Sequence, residues 1–182
     1  MTLKNTAERY GLLSIGMHWL MLLLLIAVYA SIELRVLFPK GSDPREAIKA
    51  WHFMLGMLVF LLVLARIALR LTSPTPAITP EPALWQQRLA GLMHLMLYAM
   101  MVVLPLIGWL ALSAAGKPIP FFGLQLPPLT GEDKALAKAV KELHKVAGTA
   151  GYFLIGLHAL AGLFHHYLVR DNTLTRMLPE RE

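Results

Sequence analysis

The stretch GYFLIGLHALAGLFHHY, residues 151–167, decides how this chain folds. It is almost entirely apolar, yet it carries three histidines, His158, His165 and His166. A helix of about 20 apolar residues crosses the hydrocarbon core of a bilayer. An imidazole in lipid costs free energy unless it has a partner, so histidines in such a helix are candidates for a functional role. The stretch therefore predicts a membrane helix whose histidines have binding partners.

The composition of the whole chain is that of an integral membrane protein. Of its 182 residues, 57% are hydrophobic and only 15% are charged, whereas soluble domains are nearer a quarter charged. There is no cysteine, which excludes disulfides, thiolate-bound iron–sulfur clusters and haem attached through cysteine. The net charge of +6 is interpreted as basic flanks that meet anionic lipid headgroups. We therefore predict that the protein lies in membrane lipid and that it does not bind nucleic acid.

Four segments are long and apolar enough to span a bilayer, at about residues 11–34, 52–71, 88–113 and 144–169. The first is too long for the apolar part of a signal peptide and is expected to remain as a helix. Backbone polar groups in lipid must be satisfied internally, which favours a helical bundle. The prediction is an all-α integral membrane protein, a four-transmembrane-helix bundle, with residues 1–182 forming a single domain. The longest link, between spans three and four, is long enough to fold over one mouth of the bundle.

Four spans place both chain termini on one side of the membrane, here named the terminal side. The opposite side, which carries the first and third links, is named the loop side. Lysine and arginine together do not choose an orientation, with eight on the terminal side and nine on the loop side. Seven of the nine arginines, Arg181 among them, lie on the terminal side. Positive residues favour the cytoplasm, so the termini are predicted to be cytoplasmic and the loop side periplasmic.

All seven histidines fall within a span or at its edge, and their depths form two layers. His52 and His144 open spans two and four on the loop side. His18 and His94 lie about two turns in from the terminal side. His158 follows His144 by 14 residues, which is about 21 Å along a helix and brings it near the level of His18 and His94.

Opposed imidazoles at two depths predict two stacked b haems, because neutral imidazole is a common axial ligand of haem iron. If both haems exist, His52 and His144 must hold the loop-side one. His18, His94 and His158 compete for the terminal-side one. Position 158 belongs to a stripe spaced by seven residues, which favours His158, but the sequence pattern leaves His18 and His94 open. Zinc fits less well, since no carboxylate or thiolate lies inside a span, and a relay of histidines alone would be an unusual proton path.

Other residues near these layers suit a haem. Glycines at positions 16, 56, 148, 151 and 156 would let a flat macrocycle approach the helix backbones, with ordinary small-residue helix packing as the alternative. Arg66 follows His52 by 14 residues and is therefore expected to point into the bundle near the terminal-side layer. It is the candidate partner of a haem propionate, with Arg70 as a second one, although an arginine at the end of a span is also a common headgroup anchor.

The chain also resembles a known family. Four stretches carry the resemblance: IGMHWLMLLLLIAVYASIELR (15–35), RIALRLTSPTPAITPEP (66–82), MLYAMMVVLPLIGWL (96–110) and GYFLIGLHALAGLFHHYLVRDNTLTRMLP (151–179). They are similar to the bacterial cytochrome b561 family of small di-haem membrane cytochromes, over nearly the whole chain. The last stretch is long and specific. Related di-haem subunits of hydrogenases and formate dehydrogenases share the general fold.

The resemblance implies two haem b, one held by His18 and His158 and the other by His52 and His144. It also implies an oxidoreductase of the bacterial inner membrane that oxidises superoxide at the periplasmic face and reduces ubiquinone. The alternative is a cytochrome b electron-transfer subunit of a separate dehydrogenase or hydrogenase, with a partner redox subunit. A haem-free transporter or scaffold is a third possibility.

Candidates for the two substrate ends can be named. A basic helix face leads to His144 and would concentrate the superoxide anion; its alternative is a solvated helix end or a headgroup contact. The lysines of that face are Lys134, Lys138, Lys141 and Lys145. At the other end, His165 or His94 would hydrogen-bond a quinone carbonyl and pass a proton, with a structural hydrogen bond as the alternative. Trp51, which adjoins His52, is interpreted together with Trp85 and Trp109 as part of an interfacial aromatic belt.

Overall fold

The structure is a computed structural model that describes residues 2–179, so Arg181 lies outside the described residues. It contains four long helices: α1 (Leu12–Leu34), α2 (Asp43–Thr72), α3 (Leu84–Ala114) and α4 (Lys134–Phe164). Each is long and apolar enough to cross a membrane. The predicted all-α, four-helix membrane architecture is therefore confirmed. That the whole chain forms a single domain stays a prediction.

Three of the helices begin earlier than the apolar segments that predicted them. Helix α2 starts at Asp43, α3 at Leu84 and α4 at Lys134, each ahead of its predicted span. Local capping explains two of these starts. Pro44 lies in the first turn of α2, where its missing N–H costs nothing. The Asp133 carboxylate accepts hydrogen bonds from the Ala135 and Leu136 N–H groups at 2.9 Å, which is a strong N-cap. Hydropathy detects the part of a helix that lies in lipid, so these polar first turns escape it.

The helices pack around a small core and expose most of their apolar surface. Met21, Val59, Val63 and Met101 form the buried cluster, which joins α1, α2 and α3. Leucines and phenylalanines elsewhere on the helices are exposed, among them Phe153 at 76%. A soluble protein would not leave such surface uncovered, but a membrane protein covers it with lipid. Helix α4 packs closely along α3, and it meets α1 and α2 mainly through side chains.

The third link folds into a hairpin on the loop side, as its length allowed. Strands β1 (Pro120–Phe121) and β2 (Leu124–Gln125) pair antiparallel. At the turn between them the Phe122 ring contacts Trp51 of α2, with ring centroids 6.2 Å apart. The Leu129 N–H donates to the Ser113 hydroxyl at 3.0 Å. The first contact holds the hairpin against α2, directly before His52, and the second ties the link to the end of α3.

On the terminal side the chain folds back after α4. A π-helical turn, His165–Val169, ends at Arg170 in the left-handed conformation (φ 62°). Residues 170–179, named here the C-terminal tail, then run beneath the bundle. Asn172 and Thr79 exchange two hydrogen bonds, at 2.8 and 3.1 Å. The Trp19 indole N–H donates to the Met177 carbonyl at 2.8 Å. The tail is thereby tied both to the second link and to α1 beside His18.

Candidate haem centres

The loop-side pair, His52 and His144, meets across the bundle as predicted. Their ring centroids lie 6.2 Å apart, with the ring planes at 82°. The Nδ1 atom of His52 lies 3.0 Å from the Val28 carbonyl oxygen of α1. A carbonyl oxygen only accepts, so Nδ1 must carry the proton, and Nε2 keeps a free lone pair. A backbone carbonyl that fixes the tautomer in this way is a common second partner of metal-binding histidines.

His144 sits against the backbone of α3. A Cβ atom added at Gly108 would lie 3.2 Å from His144 Cε1, so only glycine leaves the ring its full space. Nδ1 of His144 is buried and makes no hydrogen bond of good geometry, although the Leu104 carbonyl lies close to it. Packing against Gly108 is therefore what mainly positions this ring.

The terminal-side group consists of three histidines. His158 of α4 lies between His18 of α1, at a centroid distance of 6.3 Å, and His94 of α3, at 5.6 Å. The structure thus brings together, from three helices, the three histidines whose depths along the helices placed them at one level. Distance by itself allows either neighbour as the second ligand, so the choice left open by the sequence pattern stays open in the geometry.

The distances test whether iron fits. An imidazole nitrogen binds a metal at about 2 Å and the ring centroid lies about 1 Å behind it, so two rings sharing one metal have centroids about 6 Å apart. The pairs His52–His144 at 6.2 Å and His18–His158 at 6.3 Å match that separation. Within residues 2–179, no group of three or more His, Asp or Glu side chains is arranged to hold a metal ion by itself. Pairs of imidazoles at this spacing suit haem iron, in which the porphyrin supplies the remaining ligands.

Arg66 lies where the sequence placed it, at the terminal-side group. Its guanidinium Nη2 donates to His18 Nδ1 at 2.9 Å and lies near the Tyr98 ring, 5.8 Å from its centroid. Because Nδ1 accepts in this arrangement, the neutral His18 ring carries its proton on Nε2. To hold haem iron through Nε2, His18 would need its proton on Nδ1, and Nδ1 would then no longer accept from Arg66. Arg70 lies within electrostatic range of His94, so both predicted propionate partners are at this end.

Comparison with known proteins decides the family. The family model described as prokaryotic cytochrome b561 matches residues 9–180. This chain belongs to the prokaryotic cytochrome b561 family. Cytochrome b561 homolog 1 of Escherichia coli K12 is 38% identical to it over 96% of this chain and 99% of its own length. The probable superoxide oxidase CybB of Yersinia pestis is 40% identical over 96% and 98%, and cytochrome b561 homolog 2 of E. coli K12 is 29% identical over 98% and 95%.

Membership in the cytochrome b561 family confirms the resemblance drawn from the four sequence stretches. It makes this chain a multi-pass membrane protein of electron transfer, and it implies that the chain binds b-type haem. The histidine pairs described above are the residues of this cytochrome b561 that fit that group.

The glycines of this cytochrome b561 divide into two kinds. Gly151, midway between His144 and His158 on α4, is buried, and a Cβ atom there would overlap the Tyr29 hydroxyl and the Met100 sulfur. This glycine serves close helix packing, which was the alternative reading. Four others have nothing within 4 Å of an added Cβ: Gly16, Gly56, Gly148 and Gly156. That these four make room for a haem stays a prediction.

The loop-side cations lie in solvent on the first turns of α4. Lys134, Lys138, Lys141 and Lys145 are all exposed. Glu142 approaches Lys145 at 3.9 Å with both side chains largely exposed, a contact too weak to neutralise the charge. Sequence reasoning missed a fifth cation, Arg35, which follows α1 directly and lies within electrostatic range of His52. Its place near His52 depends on how α1 and α2 pack, so no sequence signal marks it.

The two quinone candidates have different surroundings. His94 lies against His158. His165 Nδ1 is 2.5 Å from Asp171 Oδ2, and the Asp171 side chain is fully buried. Burial opposes the charge, but hydrogen bonds from His165 and from Thr173 outweigh it and hold the pKa of Asp171 below its usual value. Asp171 escaped the sequence analysis, although its place one turn beyond a membrane histidine was a usable signal.

Proposed function

We propose that this cytochrome b561 oxidises superoxide on its loop side and passes the electrons to ubiquinone in the membrane through two b haems. His52 and His144 would bind one haem, and His18 and His158 the other. The observation that carries the proposal is the pair of centroid distances, 6.2 and 6.3 Å, at two levels of one bundle. The Y. pestis relative named probable superoxide oxidase, 40% identical over nearly all of both chains, supports the choice of donor.

The histidines would hold the haems, and each bound b haem would supply an iron that gains or loses one electron at a time. The chain prepares for this in two ways. The Val28 carbonyl fixes the His52 tautomer that leaves Nε2 free, and Gly108 gives the His144 ring its position. On the terminal side, a His18 that holds iron would no longer accept from Arg66 at Nδ1, and the Arg66 guanidinium would then be free to pair with a haem propionate.

Superoxide is a small anion, and its oxidation by one electron needs only a close approach to the loop-side haem. The exposed lysines at the start of α4 would raise the local concentration of the anion next to His144, because a basic surface speeds the arrival of anions. The proposed superoxide entry is formed by Lys138, Lys141 and Lys145. Arg35 adds positive charge on the side of His52.

Quinone reduction needs two electrons, two protons and an apolar approach from the membrane. His165 and His94 are the candidate groups at the terminal side, because each lies on the same end of the bundle as the His18–His158 pair. We place the protein in the bacterial inner membrane with its termini in the cytoplasm, which sets the superoxide entry in the periplasm. The arginine bias of the terminal side supports this orientation.

The deciding experiment is stopped-flow spectroscopy of the purified, haem-loaded protein. Superoxide should reduce the haem rapidly, and added ubiquinone should return it to the oxidised state. His52→Ala and His18→Ala should each lose about one of the two haems, as the ratio of haem to protein shows. Haem that dithionite reduces but superoxide does not would reject the oxidase activity in favour of an electron-transfer subunit. If each of the two single variants still binds two haems, the ligand assignment is wrong.

A further inference from the structure

The carboxylate–imidazole pair of His165 and Asp171 stands apart from the ligand histidines. His165 is the first residue of the π-helical turn that ends α4, and Asp171 follows that turn. The two side chains meet because the chain reverses at Arg170. The Asp171 carboxylate also accepts from the Thr173 N–H at 2.8 Å. His165 is partly exposed, at 18%, whereas Asp171 is fully enclosed. Asp171 is thus shielded from solvent, whereas His165 is accessible.

We infer that His165 and Asp171 together form the proton-donating group for quinone reduction, with His165 touching the quinone and Asp171 acting as its positioning residue. The inference rests on the proposed function and deepens it. His165 follows His158 by seven residues on the same helix, about 10 Å nearer the terminal side. A quinone that takes electrons at the lower edge of the terminal-side haem would therefore lie within reach of His165.

The chemistry follows from the hydrogen bond. Asp171 accepts the Nδ1–H of His165, so only Nε2 is free to act on another group. In the protonated imidazolium, Nε2–H donates to a quinone carbonyl oxygen. As an electron arrives from the reduced haem, the N–H bond breaks and an O–H bond forms at that oxygen. His165 becomes neutral, keeps its Nδ1–H on Asp171, and regains a proton from water at its accessible side. With the second electron, the opposite carbonyl oxygen takes the second proton of the quinol from water.

An ionised carboxylate is what this role requires. A neighbouring negative charge stabilises the protonated form of an imidazole, and hydrogen bonds keep Asp171 ionised despite its burial. Asp171 contacts no other charged group within residues 2–179; its partners are His165 and Thr173. Other charged or titratable groups of this end act on different partners or face solvent. They are Arg66 and Arg70 of α2, His94 of α3, His166 of the π-helical turn, Arg170 and Arg176 of the tail, Tyr10 before α1, and Glu81 in the second link.

A purely structural role for the pair makes a different prediction. If Asp171 only ties down the tail, an asparagine, which can still accept a hydrogen bond, should preserve every property except a little stability. If Asp171 supplies charge, Asp171→Asn must change how the rate depends on pH. Asn172 and Trp19 already anchor the tail. The attachment of the tail therefore does not depend on this short, charge-assisted hydrogen bond alone.

The test uses the haem-loaded protein, reduced photochemically so that superoxide plays no part, and mixed with a short-chain ubiquinone between pH 6 and 9. His165→Gln keeps a donor for Asp171 but cannot transfer a proton, and it should slow haem reoxidation by about 10²-fold, as loss of a general acid does. Asp171→Asn, which removes the negative charge beside the imidazole, should move the fall of the rate towards lower pH. His166→Gln and Glu81→Gln are the matched controls and should behave as the wild type does.

Redox-induced infrared difference spectra give a readout that does not depend on rate. In the wild type, quinone reduction should alter an imidazole band that His165→Gln removes. If His165→Gln and Asp171→Asn keep the wild-type rate, pH profile and infrared changes, the inference is wrong while the quinone reaction stands. If reduced wild-type haem is not reoxidised by ubiquinone at all, the proposed function fails first. Should Asp171→Asn not fold, His165→Gln decides the question alone.

Discussion

Gly108 offers a sharp test of the proposed loop-side haem, because it contacts His144, a proposed ligand, without being one itself. The substitution Gly108→Ala places a methyl group 3.2 Å from His144 Cε1 and 3.5 Å from Nδ1. Carbon atoms in contact normally lie about 3.5–4.0 Å apart. The ring must therefore move by about 0.3–0.8 Å, the difference between those distances. Metal–ligand distances tolerate only about 0.2 Å, so the displaced ring would no longer reach the iron properly.

The size of the effect can be bounded. Extra methyl groups forced into a packed site typically cost about 1–3 kcal/mol. If this whole cost falls on haem binding, the affinity for the loop-side haem becomes roughly 5- to 150-fold weaker. The terminal-side haem, about 20 Å away along α4, should be unaffected. The ratio of haem to protein should therefore fall from two towards one, and the reduced spectrum should lose the contribution of one centre.

Gly91→Ala is the matched control. Gly91 lies on the same helix, is exposed, and has nothing within 4 Å of the added carbon. Both substitutions raise helix propensity equally, so any difference between them comes from His144. The assay is haem content by difference spectroscopy after purification with excess haem. If Gly108→Ala retains two haems and a spectrum identical to that of Gly91→Ala, His144 does not bind iron from the position described here.

Three further predictions follow from the packing and the charges. Replacing Lys138, Lys141 and Lys145 by glutamine should slow haem reduction by superoxide at low salt and leave it nearly unchanged at high salt, where charges are screened; equal rates at low salt would contradict the superoxide entry. Gly151→Ala should lower the melting temperature, because the added carbon overlaps Tyr29 and Met100, whereas Gly162→Ala, which meets nothing within 4 Å, should not. Because the pKa of Asp171 is lowered by folding, its contribution to stability is present above the unfolded value of about 3.9 and is lost as pH falls through the folded value. Hydrogen exchange of residues 171–179 should then accelerate below about pH 4 in the wild type, with no such pH dependence in Asp171→Asn.

The sequence predicted the architecture because lipid imposes a strong and simple constraint. A bilayer selects helices by apolar length, and histidines are so costly in lipid that their positions mark the function. The depth of each histidine follows from the rise per residue, so the two levels could be found without coordinates. The position of Arg66 next to the terminal-side group followed from the same helical spacing.

Contacts that depend on turns and on non-local packing could not be predicted in this way. The carboxylate of Asp171 reaches His165 only because Arg170 adopts a left-handed conformation, which is uncommon for a residue other than glycine. The tail stays in place through Asn172 and Thr79, which are 93 residues apart in the sequence. Gly108 meets His144 only once the register of α3 against α4 is set. Each of these contacts refines a site whose location the histidines had already indicated.

Helix α4 explains why one short stretch of sequence carried so much of the fold and the function. His144 and His158 are 14 residues apart, close to four turns, so they lie within about 40° of one helix face. His144 meets His52 of α2, whereas His158 meets both His18 of α1 and His94 of α3. Buried Gly151 between them lets Tyr29 of α1 approach. One added residue between His144 and His158 would rotate His158 by about 100° and separate it from its neighbours while leaving the His52–His144 pair. In the proposed di-haem arrangement, the spacing within α4 would therefore set how far apart the two haems lie.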